Sequence, residues 1–106
     1  MSMQTFNLKM LPGVRWEILR TLHVAGHLGA TESMCMRVVD AAYLGVTRDS
    51  LRDQLDYLEK RGLVAIERPE LDDWRAALTR HGTDLVEYRI ECEPGISRPE
   101  CFAPRT

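Results

Sequence analysis

The chain has 106 residues, of which 44% are hydrophobic and 28% are charged, with a net charge of -2 and a pI near 5.9. This length suits one domain, which buries about two-thirds of its unfolded surface and therefore needs no metal or disulfide to fold. The acidic balance weighs against a dedicated nucleic-acid binder, although it does not exclude a local basic face. No apolar run is long enough for a membrane span, and no signal peptide is evident, which predicts a cytoplasmic protein.

The first predicted helix covers residues 11–25. Pro12 suits its first turn, where the missing N–H costs nothing, and Gly26 and Gly29 end it. Its apolar residues repeat at helical spacing and form one stripe: Leu11, Val14, Ile18, Leu22 and Ala25, widened by Trp16 and Leu19. Residues 1–10 have no such pattern and are interpreted as an N-terminal arm.

The second and third helices both begin after a threonine that is a good N-cap, namely Thr31 and Thr47. Glu32 lies in the first turn of the second helix, where the helix dipole favours an anion, and Gly45 ends that helix. The predicted core residues of the second helix are Met34, Val38, Ala41 and Ala42. The third helix runs to residue 61 and buries a narrow stripe made of Leu51, Leu55 and Leu58.

Two short strands and a fourth helix follow. The strands are predicted at residues 63–68 and 74–78, on either side of a polar turn whose proline cannot join a ladder. Thr79 caps the fourth helix, which covers residues 80–89 and directs Leu85 and Val86 inward. The chain from Glu93 onward is rich in proline and is interpreted as an extended tail.

This order of elements predicts a mainly α fold with a small β-hairpin. It is that of a winged helix-turn-helix, with three helices, a two-stranded wing, a C-terminal helix and an extended tail. Residues 78–82 (Leu-Thr-Arg-His-Gly) resemble the Leu-Thr-x-x-Gly step by which many such domains leave the wing. The predicted organisation is an arm at 1–10, the winged domain at 11–92 and the tail at 93–106.

A closer resemblance lies near the C-terminus. Residues 82–87 (Gly-Thr-Asp-Leu-Val-Glu) and 94–99 (Pro-Gly-Ile-Ser-Arg-Pro) resemble a family of small Mu-like prophage winged-helix proteins. Members of that family share a Leu-Thr-x-x-Gly-x-Asp step and a late Pro-Gly-(Ile/Val)-x-Arg-Pro motif. The resemblance implies a phage or prophage origin and a bacterial cytoplasm, and it implies no activity. It ends before Cys101 and Phe102.

In a winged helix-turn-helix the third helix enters the major groove of DNA. Its face opposite the leucines carries Asp49, Asp53, Asp56 and Lys60, and the wing tip adds Glu70, Asp72 and Asp73. Carboxylates repel phosphates, and in the major groove the base-edge group that favours a carboxylate is the cytosine amino group, which donates a hydrogen bond to it. The candidate nucleic-acid contacts are therefore the basic residues of the helix and the wing: Arg48, Arg52, Lys60, Arg68 and Arg75. Two further basic residues are Arg37 and Arg80.

Several functions remain open from these residues. The first is a DNA-binding or transcription-regulatory phage protein whose partner is double-stranded DNA. Either one domain binds the DNA, or a dimer binds it by combining the weak affinities of two half-sites. The alternative is an adaptor that binds a phage or host protein and no nucleic acid. The acidic helix face is also explained as a solvated surface with i, i+4 pairs such as Asp56–Lys60.

A homodimer through the terminal segments is a further hypothesis. The apolar residues of the arm (Met3, Phe6, Leu8, Met10) and of the tail (Ile96, Phe102) would pack on a second copy. The alternative is that the arm and the tail fold back on their own domain.

Nothing in the sequence indicates catalysis, since it has no nucleophile paired with a base and no phosphate-binding loop. We therefore expect that the protein is not an enzyme and that it binds no cofactor. His23 and His27 are four residues apart, with Cys35 as the nearest third ligand, and this set is too small to predict a metal site. The cysteines, including Cys92 and Cys101, are interpreted as unpaired thiols.

Overall fold

The computed structural model describes residues 8–100 of the chain. Its elements follow in this order: α1 (Leu11–Ala25), β1 (Ala30–Thr31), α2 (Glu32–Ala42), α3 (Arg48–Lys60), β2 (Val64–Glu67), β3 (Arg75–Leu78) and α4 (Arg80–Val86). Short 3-10 helices at Leu8–Met10 and Gly26–Leu28 flank α1. All four predicted helices and both predicted strands are present, and α1 has the predicted bounds. None of the helices in the described part of the chain is suited in length and hydropathy to crossing a membrane.

The sheet has three antiparallel strands in the order β1-β3-β2. Ala76 in the central strand pairs with Ala30 of β1 on one side and with Ile66 of β2 on the other. The prediction of a two-stranded wing missed β1, because a strand of two residues has no visible alternation. Gly29 permits this pairing, since it has a φ of 78° and a side chain there would overlap the Ala76 carbonyl oxygen.

The core is centred on α1, which packs against the other three helices and against β3. Val14, Ile18 and Leu22 of the predicted stripe are fully buried. The predicted stripe of α3 is also buried, and it consists of Leu51, Leu55 and Leu58. Apolar periodicity thus correctly identified the inner faces of these two helices.

The predicted inner face of α2 is wrong. Met34 and Val38 are exposed, at 51% and 36% of their surface, and both alanines of the predicted set are exposed as well. The buried residues of α2 are instead Cys35 and Val39 together with Glu32. The buried face includes a carboxylate, so the more apolar stripe of the sequence is the one that faces outward.

The fourth helix ends at Val86, three residues before its predicted end. Tyr88 then takes a positive φ of 64°. The Arg98 guanidinium donates to the carbonyl oxygens of Leu85 and Ile90, at 2.8 and 2.9 Å, and lies 4.2 Å from the centre of the Tyr88 ring. The returning tail therefore donates to the Leu85 carbonyl oxygen, which a longer helix would have paired internally, and to the Ile90 carbonyl oxygen beyond it.

The tail from residue 94 folds back on its own domain. Ile96 is 7% exposed and belongs to the core, the Ser97 amide donates to the Pro12 carbonyl oxygen, and Arg15 donates to the Gly95 carbonyl oxygen. The hypothesis that Ile96 contacts a second copy is therefore wrong, since its partners belong to the same chain. Met3 and Phe6 of the arm, and Phe102 of the tail, lie outside the described residues.

Candidate nucleic-acid interface

The outward face of α3 has the predicted acidic character. The helix begins after Thr47, whose hydroxyl accepts a hydrogen bond from the Ser50 amide at 3.0 Å. Its buried leucines fix the rotation of the helix, so that Asp49, Asp53 and Lys60 are exposed. From Arg48 to Leu78, which spans α3 and the wing, the chain carries six basic and eight acidic side chains. The surface that a winged helix offers to DNA is therefore net negative in this protein.

Two of the predicted DNA contacts, Arg48 and Arg52, bind a buried carboxylate. The Glu32 side chain is fully buried, and Arg52 donates to both of its oxygens, from Nε at 2.8 Å and from a terminal nitrogen at 2.6 Å. Arg48 lies 3.2 Å from the same carboxylate, and the Trp74 amide donates to it at 2.7 Å. The hydrogen bonds from Arg52 hold the pKa of Glu32 below its usual range despite burial.

The same cluster reaches the wing through Asp73. Arg48 pairs with Asp73 at 3.1 Å, and the Ser33 hydroxyl donates to the other oxygen of that carboxylate. The Glu32 amide also donates to the Trp74 carbonyl oxygen at 2.8 Å. We call Glu32, Arg48, Arg52, Asp73 and the Trp74 backbone the Glu32 cluster. It joins the start of α2, the first half of α3 and the end of the wing.

A third predicted contact, Arg68, is also paired within the protein. Its guanidinium binds Asp56 at 2.6 Å and Glu59 at 2.8 Å, and these hydrogen bonds raise its pKa. Asp56 thus pairs across to the wing and not with Lys60, as the i, i+4 spacing had suggested. The guanidinium groups of Arg52 and Arg68 both lie over the Trp74 ring, 4.5 and 4.6 Å from its centre.

The remaining two predicted contacts, Lys60 and Arg75, are exposed and form no ion pair or hydrogen bond through their side chains with any residue from 8 to 100. They lie apart from each other, at the end of α3 and at the start of β3, where Arg75 is in register with Glu67. The structure therefore pairs three of the five predicted contacts with carboxylates of the same chain and leaves two separate. The sequence analysis missed the Glu32 cluster, whose only local signal is that Arg48 and Arg52 share one side of α3.

The histidines and cysteines of the described residues do not form a second site. His23 lies 2.8 Å from Glu87 of the segment after α4. Burial, with the nearby Glu32 carboxylate, raises the pKa of the Cys35 thiol to about 11, so that it stays protonated at neutral pH. Within residues 8–100, no group of three or more histidine, cysteine or acidic side chains is arranged to hold a metal ion. Cys101 lies outside the described residues.

No protein-family model and no curated protein matches this chain. Among solved structures, the chain is similar to the crystal structure of MepR, a transcription regulator of the Staphylococcus aureus multidrug efflux pump MepA, with a TM-score of 0.58 and 20% sequence identity. The similarity covers 71% of this chain and 52% of the MepR chain, so the matched region spans about half of the solved protein. At this identity the similarity shows the fold alone, and it confirms that the chain is a winged helix-turn-helix.

Proposed function

We propose that the protein is a regulatory winged-helix protein that binds double-stranded DNA through α3 and the wing. The observation that carries the proposal is the fold, in which the outward face of α3 stays exposed beside a wing. MepR, which has a similar fold, is a transcription regulator. The phage or prophage origin and the bacterial cytoplasmic location belong to the same proposal and rest on the motif resemblance alone.

The pairing of the arginines determines how such binding would work. Lys60 and Arg75 can meet phosphates directly because no described residue binds them. Arg68 would first have to exchange Asp56 or Glu59 for a phosphate oxygen, and Arg52 would have to leave a buried carboxylate. Most of the salt-dependent affinity is therefore assigned to Lys60 and Arg75.

Fluorescence anisotropy of labelled duplexes of pooled sequence, titrated at several salt concentrations, tests this assignment. We expect the wild-type affinity to fall with salt, and we expect Lys60→Ala and Arg75→Ala each to reduce the slope of log K against log salt by about one. Arg89→Ala is the matched control, since Arg89 is exposed after α4 and pairs with Asp84 and Glu87, so this variant should bind as the wild type does.

Absence of binding at low salt would contradict the proposal. Equal losses in all three variants would also contradict it, because they would report a general charge effect and not a local contact. Arg52 is unsuitable for this test, since its substitution disturbs Glu32 as well.

The net negative surface of α3 and the wing favours a second candidate, an adaptor that binds a basic protein. Asp49 and Asp53 are exposed, and neither forms a salt bridge or a side-chain hydrogen bond with a described residue, although Asp49 lies close enough to Arg52 to interact with its charge. An outward row of carboxylates matches a basic partner better than it matches phosphates. The same titration separates the two functions, because an adaptor would leave DNA binding undetectable in the wild type and in every variant.

A further inference from the structure

The wing is joined to the second half of α3 by one arginine that two carboxylates hold. Arg68 directly follows β2, and Asp56 and Glu59 lie three residues apart on α3. Glu59 accepts from both terminal nitrogens of the Arg68 guanidinium, at 2.8 and 3.2 Å, and Asp56 accepts from one of them at 2.6 Å. We call these three side chains the Arg68 latch. Because two carboxylates face one guanidinium, the latch has a net negative charge.

The contact between Arg68 and Glu59 has the form that an arginine makes with a phosphate. Two N–H groups of the guanidinium point at two oxygens of one anion, which is the fork geometry that carboxylates and phosphates share. The guanidinium also lies 4.6 Å from the centre of the Trp74 ring, a contact that does not depend on the carboxylates. Arg68 is therefore a phosphate-binding group whose terminal nitrogens are already occupied.

The latch lies where a bound duplex would bring a phosphate. All three of its side chains are more than one-third exposed, so they are open to solvent. The major groove is bordered by the two phosphate backbones of the duplex, so a helix in the groove turns each flank toward a row of phosphates. Asp56 and Glu59 lie on the flank of α3 that faces the wing, since they bind Arg68 there. A latch with a net negative charge repels that backbone.

We propose that the Arg68 latch limits the affinity of the protein for DNA, because Asp56 and Glu59 occupy Arg68 until a backbone phosphate displaces them. The inference rests on the proposed DNA-binding function and describes how that surface is regulated. The hydrogen bonds from Arg68 hold the pKa of Glu59 below its usual range. The carboxylate thus stays ionised at neutral pH, and competition for the guanidinium, not protonation, opens the latch. A duplex that brings no phosphate close to Arg68 then binds only weakly.

Amide replacements open the latch with little change in the size of its side chains. The latch-open variant carries Asp56→Asn and Glu59→Gln, and anisotropy of pooled duplexes at several salt concentrations measures its binding. We expect the affinity to rise roughly tenfold or more and the slope of log K against log salt to steepen by about one, because Arg68 gains a phosphate. The matched control carries Asp49→Asn and Asp53→Asn. It removes the same charge from α3 but leaves the latch closed, so its slope should stay that of the wild type.

Arg68→Ala in two backgrounds separates the latch from net charge. The change removes one positive charge from the wild type and from the latch-open variant alike, so the difference between its two effects reports the latch. We expect it to lower the slope of the latch-open variant by about one and to leave the wild-type slope nearly unchanged. Equal effects in both backgrounds would overturn the inference. An equal steepening of the slope in the latch-open variant and in the matched control would overturn it as well.

These outcomes differ from a failure of DNA binding itself. Wild-type binding that depends on Lys60 and Arg75, with no gain in the latch-open variant, would overturn the latch and leave the proposed function intact. Binding by the latch-open variant alone would support the latch and contradict DNA binding by the wild type. Absence of binding in every variant would overturn both. Circular dichroism verifies that each variant is folded, as we expect because the altered side chains are partly exposed.

Discussion

Replacement of Glu32 with alanine is expected to lower the free energy of unfolding by about 3 kcal/mol, a typical cost of breaking a buried ion pair. The carboxylate is fully buried and binds Arg52 through both oxygens. Its removal also leaves the Trp74 amide without its acceptor, and an unpaired buried donor costs about 1–3 kcal/mol. The arginines are partly exposed and recover some hydration, which keeps the loss at the lower end of the range for buried pairs. Urea denaturation followed by circular dichroism measures the change.

Glu17→Ala provides the matched control. Glu17 also pairs with an arginine, but its partner Arg20 is exposed and lies one turn away on the same helix. Exposed pairs of this kind are worth about 0.2–1 kcal/mol. Similar losses for Glu32→Ala and Glu17→Ala would contradict the central role that the structure gives to the Glu32 cluster.

Glu32→Gln tests the charge of the cluster through its pH dependence. Because the pKa of Glu32 is lower in the folded protein than in the unfolded chain, the ionised carboxylate adds stability above the unfolded pKa of about 4.3. This contribution is lost as the pH falls through the lower pKa of the folded state. We therefore expect the stability difference between wild type and Glu32→Gln to be full at neutral pH and to shrink in acid. A difference that is independent of pH would show that shape, and not charge, accounts for the role of Glu32.

The sequence predicted those parts of the fold whose signals are local. The apolar stripes of α1 and α3 repeat at helical spacing, and Thr47 and Thr79 act as the predicted caps, each accepting a hydrogen bond at 3.0 Å from the amide three residues on. The inner face of α2 was not predictable in this way, because its buried position 32 holds a carboxylate. That carboxylate is stabilised by Arg52, twenty residues later, and by Arg48 and the Trp74 amide, and periodicity carries no information about such partners.

The candidate site, like the inner face of α2, could be predicted from the sequence only in part. Charge and position alone identified five basic residues on α3 and the wing, but not which of them are neutralised within the protein. Arg68 pairs across from the wing to α3, and Arg48 pairs with Asp73 from the other direction. These are tertiary pairs between elements that only the fold brings together. The acidic face of α3 was predictable because the leucines of the same helix determine which side is outward.

Replacement of Gly82 with alanine is expected to lower the free energy of unfolding by about 3 kcal/mol, at the upper end of ordinary overpacking costs. In an exposed helix the same change would stabilise by about 1 kcal/mol, since alanine is the better helix former. Gly82 instead lies in α4 where the helix meets the start of β2. A methyl group there would overlap the Leu63 carbonyl oxygen and lie 3.0 Å from the carbonyl carbon. Backbone atoms cannot move aside as a flexible side chain does.

The Leu63 carbonyl oxygen also accepts the hydrogen bond from the Thr79 amide, at 3.1 Å. Separation of α4 from β2 would weaken that bond together with the cap that Thr79 provides to the Gly82 amide. This coupling explains why a Leu-Thr-x-x-Gly step suits the exit from a wing, since the threonine caps the helix and the glycine lets it pack on the preceding strand.

Gly62→Ala separates this steric effect from backbone strain. Gly62 has a φ of 77° at the end of α3, where the Leu63 amide donates to the Leu58 carbonyl oxygen, but no atom lies within 4 Å of the position that its methyl group would occupy. Its substitution is therefore expected to cost only the strain of a left-handed residue, about 1–2 kcal/mol. A loss at Gly82 no larger than the loss at Gly62 would mean that α4 and β2 separate easily, and the glycine of the step would then not be required by packing.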